Sequence, residues 1–407
     1  MTTKEVRDEA REAREAGSAG VLDPEGGLTG TGGRYRQHVG RPPDSTAVRL
    51  KLSIEVFDAS DGALYLLRLG AGDDLVLRSP RAHDRALIEL LAEGYHGAAE
   101  LELALRARGL PSDAVAESLA MLERAGLLEP VPGPETLPGP EAERYDRQLI
   151  YLSDLAAPGV SSQQLQGRLG RSRVLLLGCG ALGSWAASAL CGAGIGSLVL
   201  VDDDRVELSN LNRQLLFTEA QLGEQKIIAA ADSLRRHSSA LEVIGVSRRV
   251  RGVGDLEDLL DGVDLVIATA DWPPHELPRW VNTACLAAGV PYLTAGQFPP
   301  KIRVGPLVLP GESACLECLE TATRREYPLY DELAAHRARG GTPDAALAPT
   351  AGVAGALLAS EALHHLVGLR AASTSASILF DLRTLAVERH PVAREPDCPA
   401  CSSSSRP

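Results

Sequence analysis

The chain has 407 residues, of which 44% are hydrophobic and only 4% aromatic, and its net charge is −13. This length suits two domains with aliphatic cores, and the acidic balance argues against nonspecific binding to nucleic acids or anionic membranes. No signal-like segment opens the chain and no run of about eighteen apolar residues occurs, so we expect a soluble cytoplasmic protein. Seven cysteines, an odd number, do not suggest a disulfide framework.

The N-terminal third divides into a polar segment and a small domain. Residues 1–45 are charged at first and then rich in Gly, Pro and Ser, so we expect a disordered or flexible segment. Residues 46–130 show alternating apolar positions and then helical periodicity. The predicted elements are the strands Val48–Ile54, Leu64–Leu67 and Leu75–Leu77 and the helices Pro80–Leu91, Ala98–Arg108 and Ser112–Ala125. Three strands followed by three helices predict a winged-helix domain, with Ser112 as the N-cap of the last helix.

A proline-rich segment, residues 131–142, follows this domain and is typical of a semi-extended linker. From residue 143 to 407 the chain alternates buried strands with amphipathic helices. This alternation predicts an α/β domain with a doubly wound, mainly parallel sheet, in which ligands bind at the carboxyl ends of the strands.

The first strand of this larger domain ends in a glycine motif. Val174–Gly178 is an unbroken apolar run, and Gly178, Gly180 and Gly183 form G-x-G-x-x-G at the start of a predicted helix. Glycines at these positions allow a tight turn and let a phosphate approach the helix N-terminus. Asp202 ends the next strand at the spacing that suits contact with a ribose hydroxyl. These features alone would also fit an NAD-binding domain.

The polar residues that follow change this interpretation. Asp202 begins an acidic turn that continues through Asp204, and Asn210, Arg213 and Gln214 come shortly afterwards. Lys226 stands at the start of the next predicted helix. A dehydrogenase has no need of these amides and cations here, whereas a site that neutralises a triphosphate does. Solvated surface charges would be the simplest explanation of Arg213 or Lys226 taken singly.

Asp271 follows the buried strand Val263–Thr269 and therefore lies at a strand carboxyl end. A helix N-cap is the alternative role for this aspartate. Two C-x-x-C pairs stand further along, Cys315 with Cys318 and Cys398 with Cys401. Such spacing lets four thiolates form a closed tetrahedral zinc site of structural type, although two redox dithiols are an alternative.

Taken in order, these motifs resemble the ThiF/MoeB family, the adenylating fold shared with ubiquitin-activating enzymes. The resemblance covers roughly residues 143–401 and implies use of ATP, with Asp271 holding Mg²⁺ and the four cysteines holding Zn²⁺. It also implies a homodimer in which Arg147, in the segment RYDRQ, reaches the triphosphate of the partner subunit. Relatives usually have asparagine after the aspartate, whereas this chain has Trp272.

The N-terminal domain is similar to the PqqD-like domains of enzymes that modify ribosomal peptides. That resemblance implies an exposed edge strand that pairs with a leader peptide, by strand addition. A DNA-binding winged helix is the competing interpretation, but the last predicted helix carries little positive charge. Together the two resemblances favour an enzyme that adenylates a carboxylate of a ribosomally made precursor peptide, as enzymes of the microcin C type do.

Two other functions stay open. The chain could be a non-catalytic ThiF-like partner that presents a leader peptide to a cyclodehydratase, or an adenylyltransferase for a sulfur-carrier protein. Residues 319–349 contain no cysteine, where many relatives carry a thiol that captures the activated carboxylate. Covalent capture on sulfur is therefore not expected. The predicted roles are phosphate binding by Arg213, Lys226 and the partner's Arg147, orientation by Asn210, and nucleotide contact by Gly178, Gly180, Gly183, Asp202, Asp204 and Gln214.

Overall fold

The computed structural model describes residues 46–70, 74–339 and 345–402, which belong to one compact unit. The segment 1–45, for which we predict flexibility, lies outside the described residues. Within the described part of the chain, no helix combines the length and the apolar character needed to cross a lipid bilayer.

The N-terminal elements form two small antiparallel sheets and three helices around a core of their own. Strands β2, β3 and β4 form one sheet, with β2 and β4 at its edges, and β1 pairs with β5. The strands are β1 (Val48–Leu50), β2 (Ile54–Asp58), β3 (Leu64–Arg68), β4 (Leu75–Leu77) and β5 (Leu128–Pro130). The helices are α1 (Ala82–Glu93), α2 (Ala98–Ala107) and α3 (Val115–Arg124).

Two sequence expectations for this region are wrong in detail. The single strand predicted at Val48–Ile54 is two strands that belong to different sheets. The chain turns between them because the ammonium group of Lys51 donates to Ala156 O at 2.7 Å and Leu52 N donates to Ser153 Oγ at 2.8 Å. The third helix has no serine N-cap, since Ser112 Oγ instead accepts a hydrogen bond from Arg106 Nε at 2.9 Å.

The proline-rich segment is not extended. A 3₁₀ turn spans Gly133–Glu135, and helix α4 (Gly139–Arg144) follows it. Between them Leu137 is buried, and its amide donates to Gln163 Oε1 at 2.9 Å. Residues 131–142 therefore pack against the following part of the chain along part of their length.

The larger part of the chain is an eight-stranded sheet in the order β13-β12-β11-β10-β9-β6-β7-β8. Strands β10, β9, β6, β7 and β8 are parallel, and β11 to β13 extend the sheet in antiparallel fashion. The strands are β6 (Arg173–Leu177), β7 (Ser197–Val201), β8 (Glu242–Val246), β9 (Leu265–Ala268), β10 (Tyr292–Phe298), β11 (Lys301–Val308), β12 (Ala376–Asp381) and β13 (Ala386–Pro391). The mainly parallel α/β sheet predicted from the alternating pattern is confirmed.

Helices cover both faces of this sheet. On β6, Val174 and Leu176 pack into one hydrophobic core, and Leu175 and Leu177 pack into the other. This burial on both faces explains why the strand is apolar at every one of these positions. The helices are α4 (Gly139–Arg144), α5 (Asp146–Leu155), α6 (Ser162–Arg171), α7 (Ala181–Gly192), α8 (Lys226–His237), α9 (Gly254–Glu257), α10 (Glu276–Ala288), α11 (Leu316–Glu326), α12 (Tyr330–Ala338) and α13 (Ala348–Leu366).

Candidate active site

The glycine motif forms the turn between β6 and α7 at the centre of the carboxyl edge. Gly178 has φ +96°, and a Cβ there would lie 2.6 Å from Ala270 N, in the segment that follows β9. At Gly183 a Cβ would collide with the carbonyl oxygen of Gly178. Gly180 precedes the first residue of α7. The turn therefore needs glycines for conformation and close packing, and it leaves the N-terminus of α7 at the edge of the sheet.

Asp202 supports this turn from the end of β7. Its Oδ2 accepts a hydrogen bond from Cys179 N at 2.7 Å, and its Oδ1 accepts one from Asp204 N at 2.8 Å. Burial raises the pKa of the carboxyl group, opposed by nearby Lys226 and by these two amides. Asp202 thus links the glycine turn to the acidic turn, while its contact with a ribose stays a prediction.

Lys226 reaches the same acidic turn from the first turn of α8. Its Nζ lies 2.7 Å from Asp204 Oδ2, and its amide donates to Asp204 O at 2.9 Å. The structure therefore brings Lys226, Asp204 and Asp202 together, and their contacts with a nucleotide stay a prediction. The ammonium group is paired with a carboxylate in this structure.

Asn210, Arg213 and Gln214 lie on the segment that follows the acidic turn. Asn210 is buried, and its Oδ1 accepts from Glu207 N at 3.0 Å, so it shapes the local 3₁₀ turn. Arg213 is half-buried, and its Nη1 donates to Ser209 O at 2.8 Å. Gln214 is buried, and within the described residues its Oε1 accepts no hydrogen bond. An orphaned buried amide oxygen beside the glycine turn fits a site that is completed by a ligand.

Two residues that the sequence analysis missed hold this segment in place. Trp185 Nε1 donates to Arg213 O at 3.0 Å, and Leu215 N donates to Ser184 Oγ at 3.1 Å. Ser184 and Trp185 both lie in the first turns of α7 and therefore fix Arg213 relative to the glycine turn. No spacing rule in the sequence pointed to them.

Asp271 lies beside the glycine turn, on the flank opposite β7. The amides of Thr269 and Ala270 both donate to Leu177 O, at 2.9 and 2.8 Å, and so tie the end of β9 to the end of β6. Asp271 follows directly and is exposed. The N-cap alternative is wrong, because α10 begins at Glu276 and its N-cap residue is His275. The aspartate is placed where a carboxylate could share a cation with bound phosphates.

Arg147 does not join this constellation within one chain. Its side chain is 82% exposed, and its Nε lies 3.6 Å from Asp146 Oδ2. The Nε2 of the next residue, Gln148, donates to Ala193 O at 2.8 Å, and Ala193 directly follows the last residue of α7. A twelve-residue helix is about 18 Å long, so α5 contacts the end of α7 that is remote from Gly180.

The two C-x-x-C pairs meet in a buried cluster. Sγ–Sγ distances are 3.9 Å for Cys315 to Cys318, 3.6 Å for Cys315 to Cys398 and 3.6 Å for Cys318 to Cys401. Four thiolates at about 2.3 Å from one tetrahedral Zn²⁺ stand about 3.8 Å apart. The donor set and its spacing therefore fit a closed zinc site. The other cysteines, Cys179, Cys191 and Cys285, are buried outside the cluster.

The chain shows clear similarity to curated proteins. It is 36% identical over 282 residues to the pig (Sus scrofa) adenylyltransferase and sulfurtransferase MOCS3, covering 69% of this chain and 57% of that protein. It is 32% identical over 262 residues to the sulfur carrier protein ThiS adenylyltransferase of Escherichia coli K12, covering 64% of this chain and 96% of that protein. The chain thus spans little more than half the length of the MOCS3 relatives.

Solved structures show the same fold over a longer stretch. E. coli MccB in its crystal structure with ATP has a TM-score of 0.68 at 23% identity, covering 88% of this chain and 100% of that one. PaaA has a TM-score of 0.65 at 22% identity, covering 84% of this chain and 99% of that one. The parallel sheet and its glycine turn place the chain in an α/β class whose curated relatives are named adenylyltransferases. Residues 145–400 match the model of the ThiF family, and the chain belongs to that family.

Proposed function

We propose that the protein adenylates a carboxylate of a precursor peptide with ATP. A carboxylate oxygen attacks the α-phosphorus, the bond from that phosphorus to the bridging oxygen of the β-phosphate breaks, and pyrophosphate leaves. The observation that carries this proposal is the gathering of Arg213, Lys226, Asp202 and Asp271 around one glycine turn in a ThiF-family chain. Two anions must meet for this reaction, so charge neutralisation and alignment matter more than a base.

Each residue of the site would have a separate role in this reaction. Arg213 and Lys226 would bind phosphate oxygens, and Asn210 would orient the region of the α-phosphate. Asp271 would hold Mg²⁺, which lowers the repulsion between the phosphates and the incoming carboxylate. Arg147 would come from the partner subunit of a homodimer, which is consistent with its exposure and with the remote position of α5.

The N-terminal elements support a peptide as the acceptor. Strand β2 is an edge of its sheet, and Phe57 on it is 52% exposed, with its ring 6.1 Å from that of Tyr65. An exposed apolar edge strand suits the addition of a peptide strand. MccB, described as a microcin C7 biosynthetic enzyme and crystallised in complex with N-formylated MccA, has the fold of 88% of this chain. The ThiS adenylyltransferase covers only 64%.

A sulfur-carrier protein is the second candidate acceptor. The curated relatives at 30–36% identity include adenylyltransferases for ThiS and for molybdopterin synthase, which favours this class by sequence. The extra N-terminal elements and the absence of a cysteine from residues 319–349 favour the peptide.

Zinc in the four-cysteine cluster would have a structural role. Cys315 precedes α11, whereas Cys398 and Cys401 lie near the end of the described chain. Arg325 on α11 also pairs with Glu395, at 2.6 Å from Nη1 to Oε1. A closed site with four protein ligands has no open position for chemistry, so it would fasten this C-terminal segment to α11.

Pyrophosphate exchange tests the proposal. The full chain is incubated with ATP, Mg²⁺ and labelled pyrophosphate, either with peptides encoded near its gene or with ubiquitin-like proteins that end in Gly-Gly. We expect exchange with a leader-bearing peptide, and a loss of about a hundredfold in Arg213→Ala. Exchange only with a Gly-Gly protein would support the second candidate. Exchange with neither would refute adenylation and leave a peptide-presenting partner.

A further inference from the structure

Arg303 is a cation at the carboxyl edge of the sheet that the nucleotide site does not use. It stands near the start of β11 and faces Gly296, its partner on β10. Its guanidinium lies 5.8 Å from the ring centre of Phe298. Strand β11 is two strands from β9, whose end leads to Asp271. At about 4.8 Å per strand, Arg303 is about 10 Å along the edge from that strand.

The guanidinium has no anionic partner among the described residues. Its Nε is buried, and among the described residues no group accepts a hydrogen bond from Arg303 and no carboxylate forms an ion pair with it. Burial lowers the pKa of Arg303, opposed by nearby Tyr330. A desolvated charge without a partner is costly, and proteins keep such a group where a ligand supplies the counter-charge.

The position of Arg303 indicates which anionic ligand would supply this counter-charge. Lys226 and Arg213 follow β7, on one side of the glycine turn, whereas Asp271 and then Arg303 follow on the other side. The cations proposed to bind the nucleotide thus lie on the β7 side of the glycine turn. On the β11 side, the guanidinium of Arg303 has no anionic partner among the described residues. A guanidinium matches a carboxylate through two parallel hydrogen bonds.

We infer that Arg303 binds the acceptor carboxylate and holds it beside Asp271 for attack on the α-phosphorus. This inference rests on the proposed adenylation. Pairing with Arg303 would neutralise the acceptor as it approaches the polyphosphate and orient one oxygen toward it. A Cβ at Gly296 would lie 3.0 Å from Phe298 Cε2 and 3.8 Å from Arg303 Nη2, so the glycine leaves room for the ring and the guanidinium beside the backbone of β10. Arg303 is therefore an acceptor-binding residue, and the acceptor binds on the side of the glycine turn opposite Lys226 and Arg213.

Three nucleotide probes test this assignment with the full chain. AMP reports the nucleoside site, AMPCPP with Mg²⁺ reports the triphosphate site, and 5′-O-(N-acetylsulfamoyl)adenosine adds an acyl group where the acceptor would lie. Dissociation constants are measured by calorimetry for the wild type, Arg303→Met and Arg303→Lys. Arg389→Met is the matched control, because Arg389 is exposed on β13, where its Nε donates to Ala372 O at 3.3 Å.

We expect Arg303→Met to raise the dissociation constant of the acyl probe by about tenfold or more, because a hydrogen-bonded charge is lost. The dissociation constants of AMP and AMPCPP should change by less than about twofold. Arg303→Lys should recover part of the loss, and Arg389→Met should bind all three probes as the wild type does. The thermal midpoint of Arg303→Met should not fall, since Met relieves a desolvated charge.

Equal weakening of all three probes, or unchanged binding of the acyl probe, would overturn the assignment while adenylation stands. A loss confined to AMPCPP would overturn it in favour of a phosphate-binding role. Failure of the wild type to bind any probe would refute the proposed adenylation, and the inference would fall with it.

Discussion

Lys226 and Asp204 are joined by an ion pair of 2.7 Å that links the first turn of α8 to the acidic turn after β7. The lysine side chain is only 7% exposed, whereas that of the aspartate is 66% exposed. The lysine is therefore enclosed by the fold, and the carboxylate is the solvent-exposed member of the pair. A triphosphate that binds Lys226 must either share the lysine's positive charge with Asp204 or displace the carboxylate of Asp204.

Competition between Asp204 and the triphosphate for Lys226 predicts how Asp204→Asn changes the affinity for ATP in the absence of metal. Removing the carboxylate frees Lys226 and removes repulsion, so the variant should bind ATP several-fold more tightly in the presence of EDTA. Lys226→Met should weaken binding by about tenfold or more, and the Asn substitution should give no gain in that background. Isothermal titration of the four proteins measures this cycle. Weaker binding by Asp204→Asn alone would mean that Asp204 itself contacts the nucleotide.

Arg147 should act in the site of the partner subunit. Arg147→Ala and Asp271→Asn should each reduce pyrophosphate exchange strongly when measured alone. The two variants are mixed in equal amounts, unfolded and refolded together, so that about half of the dimers are heterodimers. Each heterodimer has one site of two in which both residues are intact, so about a quarter of wild-type activity should return. The control is a mixture of Arg147→Ala with Arg213→Ala/Arg147→Ala, which has no intact site. No recovery in the first mixture would place Arg147 in its own chain's site or in none.

The central part of the site could be predicted from the sequence because its signals are local. Gly178 and Asp202 are set by a strand, a turn and a fixed spacing, and in the structure Asp202 accepts a hydrogen bond from the amide of Cys179, the residue after Gly178. The parallel sheet was predictable for the same reason, since strands buried on both faces are apolar throughout.

What the sequence did not reveal depends on contacts between distant segments. The split of Val48–Ile54 into two strands follows from bonds to Ser153 and Ala156, about a hundred residues further on. Trp185 and Arg303 carry no motif, and their positions became apparent only when the segments they contact were brought together in the fold. The sequence also does not predict the pairing of Lys226 with Asp204, because its motifs lead both side chains to be expected at the nucleotide.

The cysteine cluster predicts about one zinc ion per chain. Cys401→Ser should lose the metal, as measured by inductively coupled plasma mass spectrometry, and should lower the thermal midpoint by about 10 °C or more, because binding free energy is folding free energy. Cys285→Ser is the matched control. Burial raises the pKa of Cys285 to about 12, so that thiol stays protonated outside the cluster. A metal-free wild type with an unchanged midpoint in Cys401→Ser would contradict a zinc site.

Glu129 on β5 lies where the N-terminal elements meet α5 and α6, and it is a buried carboxyl group. Its Oε2 accepts from Ser153 Oγ and from Ser162 N, each at 3.2 Å, and Arg49 Nε is 4.0 Å from its Oε1. Burial raises the pKa of Glu129 above its ordinary value of 4.5, opposed by Arg49 and these hydrogen bonds. The folded protein therefore keeps this proton to a higher pH than the unfolded chain does.

This difference fixes the sign of a pH effect. As the pH rises above 4.5, the unfolded chain releases the proton first, so the contribution of Glu129 to the free energy of unfolding falls until the folded pKa is passed. Glu129→Gln removes the titration. Its free energy of unfolding minus that of the wild type should rise with pH and then level off, as measured by urea denaturation up to about pH 8. A flat or falling difference for Glu129→Gln would mean that Arg49 and the serines outweigh burial at this junction.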